Sequence, residues 1–338
     1  MTNTSTIARG GGTSSAPERR RRRSHRPTKA SGLPPRAVPY VLLIPGILVI
    51  AGLLLYPMIQ VVVMSFQKVG LAQISGKRPT EWVGWENYTK IFENDIFWSS
   101  LRNTVAFAVI TVTLTLAVGT AVGVLLNRLS KRMSTFVIIG IMGAWAVPPV
   151  AQGAIWGWLF NAEAGIVNWL LNLLPDWLSQ ALFGRSDWTG EPWLNDPITI
   201  YLVLIMTVLW TSFPFVSVSV LAGLKSIPAE LYEAARVDGS GPWRTFWKIT
   251  FPLLKPVFTV LTILSIIWDF KVFSQLYTLM GGPTVREAFN LSVYSYSEAF
   301  RSPPKMGSGA AIAVVLTVIL LIVTAIYVRQ MVKSEEVQ

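Results

Sequence analysis

The chain has 338 residues, 52% of them hydrophobic and 14% charged, with a formal net charge of +11 and a mean hydropathy of +0.48. A soluble domain carries about 25% charged residues, so this deficit, gathered into long apolar blocks, excludes an ordinary globular domain of this size. There is no cysteine and a single histidine, His25, which excludes disulfides, thiolate nucleophiles, Cys/His metal sites and histidine triads in the apolar region.

Residues 1–38 are rich in Ser, Thr, Gly, Pro and Arg and are expected to be a disordered basic tail. Arg9, Arg19 to Arg23, Arg26, Lys29 and Arg36 all precede the first apolar run, with Glu18 as the acid among them. No aromatic residues interleave these arginines, so they read as a membrane-orientation signal, and no nucleic-acid partner is expected.

Six apolar segments follow, at roughly 41–65, 103–126, 135–159, 197–221, 253–279 and 308–328. Each reaches the length of about 20 residues that a helix needs to cross the hydrocarbon layer, where only a self-satisfied backbone is tolerated. The sequence therefore predicts an all-α polytopic membrane protein with a transmembrane domain over 39–330 and a tail over 331–338. The first run is too long for a cleaved signal peptide, and Tyr56-Pro57-Met58 stands where small residues would be needed. The linkers after segments two and four hold Arg128, Lys131 and Arg132, then Lys225, Arg236, Arg244, Lys248 and Lys255. With the N-terminal tail, Arg329 and Lys333, that side has roughly twice the Lys and Arg of the other, which predicts both termini in the cytoplasm.

In the outer loop at 160–196, Ile166, Val167, Trp169, Leu170, Leu173, Leu174 and Trp177 recur as on a surface helix that Pro175 interrupts. Glu163, Asp176, Asp187, Glu191 and Asp196 make its polar side acidic. It reads either as a lid over a path or as a helix resting on the bilayer. Trp85, Trp98, Trp188 and Trp193 are expected as interfacial anchors, whereas Trp145, Trp156, Trp158, Trp210 and Trp268 fall within spans and could line a path. Segment three holds Gly140, Gly143, Pro148, Pro149 and Gly153, and is predicted to be kinked or broken, as path-lining helices often are.

The inner loop 226–252 has the most distinctive pattern. Pro228 suits a first helical turn, Glu230 to Arg236 continue a helix, and Asp238-Gly239-Ser240-Gly241-Pro242 ends it in a tight turn. A second helix is predicted from Trp243 to about Ile249, leading through Phe251-Pro252 into segment five. Small Ala234 and Ala235 would let a partner surface approach, Glu233 offers it a charge, and Gly239 permits the reversal. A plain interhelical connector needs none of these.

Glu233-Ala234-Ala235, then Gly239, Ile249 and Phe251-Pro252 in fixed spacing resemble the EAA loop of ATP-binding-cassette importer permeases. Pro228, Leu231, Asp238, Phe246 and Pro256 match its sugar-importer version, while Phe251 departs from the commoner Leu. Further landmarks of the type are Tyr56-Pro57, Gly84-Trp85-Glu86-Asn87-Tyr88, Asn103-Thr104, Gly281-Gly282-Pro283-Thr284 and Asn290-Leu291. The resemblance implies a type I importer permease of the maltose-transporter kind in a bacterial cell membrane, non-catalytic itself. It further implies a second, homologous permease, two copies of an ATPase that bind ATP and magnesium, and an extracytoplasmic solute-binding protein. The coupling residues would be Glu233, Ala234, Ala235, Asp238, Gly239, Ile249 and Pro252. Gly223-Leu-Lys225-Ser226 lacks the spacing of a P-loop, so no cofactor is expected on this chain.

Asp269 and Lys271 are the charged residues well inside an apolar segment, where such groups face a bundle interior or a cavity. On a continuous helix Asp269, Phe273 and Tyr277 share a face at steps of four, giving a carboxylate and two rings to a sugar. Trp268 and Lys271 adjoin them. Lys271 could equally snorkel to the interface, and Asp269 could pair with another helix. The competing class is an ion-coupled secondary sugar transporter, which predicts inverted repeats and several intramembrane ionisable groups.

Overall fold

The computed structural model describes residues 38–335, so residues 1–37 of the expected tail at 1–38, and residues 336–338, lie outside the described part. The chain divides into two units at Leu55/Tyr56. The first contains α1 (Val38–Ile50), apolar throughout with Pro45 inside it, followed by a π-helical turn over Ala51–Leu55. Its described side chains are almost all exposed. An apolar surface on every side belongs in lipid or against another membrane helix.

The second unit begins with α2 (Tyr56–Ser65), a two-stranded antiparallel hairpin of β1 (Gln67–Lys68) and β2 (Glu81–Trp82) enclosing α3 (Leu71–Ile74), and α4 (Glu86–Phe92). Buried Asn87 donates from Nδ2 to the Ser65 and Gln67 carbonyls at 2.9 and 3.0 Å, tying α4 to the end of α2. The long helix α5 (Asp95–Arg128) is capped by Asn94, whose Oδ1 accepts from Ile96 N at 2.9 Å. At 34 residues it spans about 51 Å, well beyond the predicted 103–126 segment.

The third segment divides into α6 (Lys131–Trp145) and α7 (Pro149–Leu159), whose axes differ by 93°. Pro148 and Pro149 cause this break: neither can donate to the preceding turn, and Pro149 then takes the first position of α7. Two short helices, α8 (Ile166–Asn172) and α9 (Asp176–Phe183), build the next loop, with the interruption at Leu173–Pro175. This loop has a small core of its own. Trp188 is 5% exposed, stacks on Trp193 at 5.5 Å, and donates from Nε1 to Ser179 Oγ at 3.0 Å. The expectation of interfacial anchoring for Trp188 and Trp193 is therefore corrected, because their N–H groups are satisfied inside the loop; Trp193 Nε1 donates to Asn168 Oδ1 at 2.6 Å.

Helix α10 (Pro197–Ser226) is capped by Asp196 and packs along α5, forming the centre of the unit around Phe107, Ile200, Val203 and Leu204. Thr207, Thr211 and Ser217 lie in its buried faces and donate to carbonyls of their own helix, which satisfies hydroxyls in a dry interior. The inner loop forms α11 (Ala229–Val237) and α12 (Pro242–Thr245), then a π-helical turn over Phe246–Thr250 that runs straight into α13 (Phe251–Phe270). Beyond it stand α14 (Ser274–Leu279), a 3₁₀ turn at Arg286–Ala288, α15 (Leu291–Phe300) and α16 (Met306–Glu335). The helix α16 runs through the start of the expected 331–338 tail.

Five stretches among the described residues are long and apolar enough to cross a membrane: Leu42–Ser65, Asp95–Arg128, Pro197–Ser226, Pro242–Phe270 and Met306–Arg329. The bent pair α6 and α7 supplies the sixth as a broken span. The fold is an all-α polytopic membrane architecture.

Candidate functional site

Two helix breaks meet at one cavity. The first is the Pro148–Pro149 break between α6 and α7. The second separates α13 from α14, where Lys271, Val272 and Phe273 leave the helix. No proline or glycine lies at this second break. It is held from outside: buried Asn290 donates from Nδ2 to the Val272 carbonyl at 2.5 Å while its Oδ1 accepts from Val293 N at 2.9 Å, capping α15. Thr104 of α5 adds a third tie, accepting from Leu291 N at 2.9 Å.

This break corrects the expectation that Asp269, Phe273 and Tyr277 share one helical face, since the helix carrying Asp269 ends at Phe270. The three residues are nevertheless only partly separated. Asp269, Trp268, Lys271 and Phe273 line a cavity of about 420 Å³, together with Trp145, Gln152, Thr211, Ser212 and Gln275. Tyr277 stands behind it, its ring 5.2 Å from Phe273 and 5.3 Å from Tyr296. Asp269 is 3% exposed, and its Oδ2 has no hydrogen-bond partner among the described residues. Lys271 is exposed and forms none of the described ion pairs.

Gln152 and Gln275 escaped the sequence reading, although a glutamine three residues past a double proline in an apolar segment is a usable signal. Gln275 Nε2 donates to Gln152 Oε1 at 3.0 Å, and Gln152 Nε2 donates to the Val147 carbonyl at 2.6 Å. This bridge is possible because α7 and α14 cross closely at Gly153: a Cβ there would lie 2.9 Å from Thr278 Cβ and 3.0 Å from the Gln275 carbonyl. A wall of Trp145, Phe215 and Trp268 adjoins the cavity, with ring separations of 6.1 and 5.4 Å. A buried carboxyl oxygen, two amides, the three hydroxyls of Thr211, Ser212 and Ser274, and flat apolar rings surround one space. Rings of this kind suit the C–H faces of a ligand, and such polar groups suit its hydroxyls.

The second place is the inner loop. Pro228 caps α11 instead of entering its first turn, and the helix ends at Asp238. Gly239 then adopts φ +70, the left-handed conformation that residues with a Cβ disfavour. Ser240 N donates to the Ala235 carbonyl at 2.8 Å and Gly239 N to the Arg236 carbonyl at 3.0 Å, closing the turn. Tyr232 Oη and Thr250 Oγ1, 3.2 Å apart, join α11 to the π-helical turn below α13. The two alanines part company: Ala235 is 5% exposed and packs inward, whereas Ala234 faces out with Leu231 and Val237, the last 89% exposed. Glu233 and Asp238 are exposed, Ile249 is half-buried within the π-helical turn, and Pro252 is exposed in the first turn of α13. The four described ion pairs lie elsewhere, at Lys68–Glu81, Lys90–Glu86, Arg185–Glu191 and Lys305–Glu298. Glu233 and Arg236 are thus uncommitted among the described residues.

Electrostatics outside the membrane are local. The Lys90 ammonium lowers the Glu86 carboxyl below its usual range, and the Thr189 backbone N–H does the same for Asp187.

A family model described as binding-protein-dependent transport system inner membrane component matches residues 113–333. The chain is 38% identical to the diacetylchitobiose uptake system permease protein DasB of Streptomyces coelicolor, over 97% of this chain and 94% of that one. It is 34% identical to the sulfoquinovosyl glycerol transport system permease protein SmoG of Agrobacterium fabrum, over 87% and 90% of the two chains. With the trehalose/maltose transport system permease protein MalF of Thermococcus litoralis the identity is 32%, over 73% and 79%. The fold matches a crystal structure of a bacterial ABC transporter involved in alginate import, with TM-score 0.72 and 21% identity over 88% and 96% of the chains. The chain therefore belongs to the binding-protein-dependent transport system inner membrane components, the multi-pass permeases of ATP-binding-cassette importers.

Proposed function

We propose that this permease moves a di- or oligosaccharide delivered by an extracytoplasmic binding protein, and that a second, similar permease completes its pore. Two copies of a separate ATPase, which bind ATP and magnesium, drive it from the cytoplasmic side, where both termini lie. The chain itself is non-catalytic. The observation that carries the reading is the exposed stripe of Leu231, Ala234 and Val237 beside uncommitted Glu233 and the turn at Gly239. An apolar stripe on a short polar-loop helix calls for a protein partner. Asp238 ends that helix and Ala235 packs inward from it, while Ile249 and Pro252 lie in the π-helical turn and the first turn of α13 that follow. The relatives named for diacetylchitobiose, sulfoquinovosyl glycerol and trehalose/maltose support a glycoside as cargo. Asp269, Trp268, Lys271 and Phe273 would meet it in the cavity, with Tyr277 supporting Phe273.

The test is reconstitution of both permeases, the ATPase and the binding protein into liposomes, with uptake of maltose, trehalose and diacetylchitobiose followed by radiolabel. ATP-dependent uptake of one of these that persists with an uncoupler is expected. Uptake that ignores ATP and collapses with the uncoupler would instead establish a secondary transporter.

A further inference from the structure

We propose that the groove between α5, α13 and α16 holds one anionic phospholipid. The groove encloses about 740 Å³ and is lined by Leu116, Trp247, Phe251 and Phe258 among other apolar side chains, with no Asp or Glu among the described residues. Among the described residues two cations border it, Arg128 and Lys255. Arg128 is the last residue of α5, and Lys255 lies in the second turn of α13, so both lie toward the inner-loop ends of these helices. Leu116 lies twelve residues before Arg128 on the same helix, about 18 Å deeper. The groove thus joins a cationic end at headgroup depth to an apolar end at acyl-chain depth.

The charge at the headgroup end is unspent. Neither Arg128 nor Lys255 forms an ion pair among the described residues, and Glu233, which shares the adjoining cavity with Arg128, forms none either. Basic pockets between membrane helices take anionic headgroups for this reason. Trp243 and Trp247 at the same end have the amphipathic rings that favour the interface. A zwitterionic lipid would fill the apolar part equally and leave the two cations without a counter-ion, so the headgroup charge decides the occupant.

The experiment uses the assembled transporter, this chain with its partner permease and ATPase. The complex is incubated with equimolar phosphatidylglycerol and phosphatidylcholine vesicles, and retained lipid is counted by native mass spectrometry. Phosphatidylglycerol is expected to be retained over phosphatidylcholine, and the double variant Arg128→Gln/Lys255→Gln to lose its retention about 30-fold. If that variant fails to assemble, Lys255→Gln alone is expected to lose about fivefold. Thr259→Trp, which fills the groove and keeps both cations, should displace the lipid as well. Equal retention of the two lipids, or undiminished phosphatidylglycerol in the charge variant, overturns the proposal. So does a photo-crosslinker at Trp247 that joins the partner permease instead of lipid, because the groove would then be a subunit interface.

Discussion

Asn290 is the residue whose removal should be felt furthest, because one buried amide makes two bonds to two different elements. Its Oδ1 caps α15 at Val293 N, and its Nδ2 holds the Val272 carbonyl at the break beside the cavity. Asn290→Ala removes a cap, which costs about 1 kcal/mol. It also leaves a buried carbonyl without its partner, at about 2 kcal/mol. The two terms sum to about 3 kcal/mol. Asn290→Asp separates them, because the carboxylate keeps an acceptor for Val293 N but has no donor for Val272. It brings a negative charge against a carbonyl in a site 1% exposed, so it should be at least as damaging as Ala. The assay is unfolding in mixed micelles titrated with dodecyl sulfate, followed by tryptophan fluorescence. A loss below about 1 kcal/mol for Asn290→Ala, or an aspartate variant as stable as the parent, would refute the clamp.

Three further predictions address the site and the loop. Gly153→Val should press on Thr278 and the Gln275 carbonyl, costing about 1–3 kcal/mol and lowering uptake, measured by the same unfolding titration beside transport. Gly239→Val places a β-branched residue at φ +70, which costs about 1–2 kcal/mol locally; co-purification of the ATPase should fall while the membrane part still folds. Asp269→Ala should weaken the apparent affinity for sugar in liposome uptake, about fivefold for one lost hydrogen bond, and an unchanged affinity would remove Asp269 from the path.

The spans were legible because the bilayer demands length and apolarity together, and both can be read residue by residue. The α6–α7 break was legible too, since Pro148 and Pro149 cannot continue a helix on their own account. The turn at Gly239 followed from the same local chemistry. By contrast, the break after Phe270 was invisible. Residues 268–276 contain no helix breaker, and the structure departs from the helix there because Asn290, eighteen residues on, takes the Val272 carbonyl. Tertiary contacts override propensity at such points. Asp269 and Phe273 therefore meet at a cavity wall and do not share one helical face. Asn87, Asn103 and Asn290 were visible only as landmarks of a resemblance. Their role as clamps emerged with their partners: Asn103, for instance, donates to the Glu287 and Phe289 carbonyls at 2.8 and 3.0 Å. Trp188 shows the same limit from the other side, since its burial depends on the folding of a loop and not on its distance from a span.

The position of the second break bears on how the loop could act on the cavity. Helix α13 has 20 residues, about 30 Å, and it runs unbroken from the π-helical turn of the loop to Phe270 beside Asp269. On the proposed coupling, displacement of α11 reaches the base of α13 through the Tyr232–Thr250 contact, and a rigid helix carries it to the cavity wall. A helix continuing to Leu279 would carry Gln275 along, and the Gln152–Gln275 bridge would have to move with it or break. The non-helical residues Lys271 to Phe273 remove that constraint, because α14 is held to α7 across Gly153 while α13 ends before it. One wall of the cavity, at Trp268 and Asp269, can then shift against another at Gln152 and Gln275. A short irregular segment at a helix end absorbs the angular change, as hinges commonly do. Asn290 fixes where that segment lies, which is why its two hydrogen bonds should matter to transport as much as to stability.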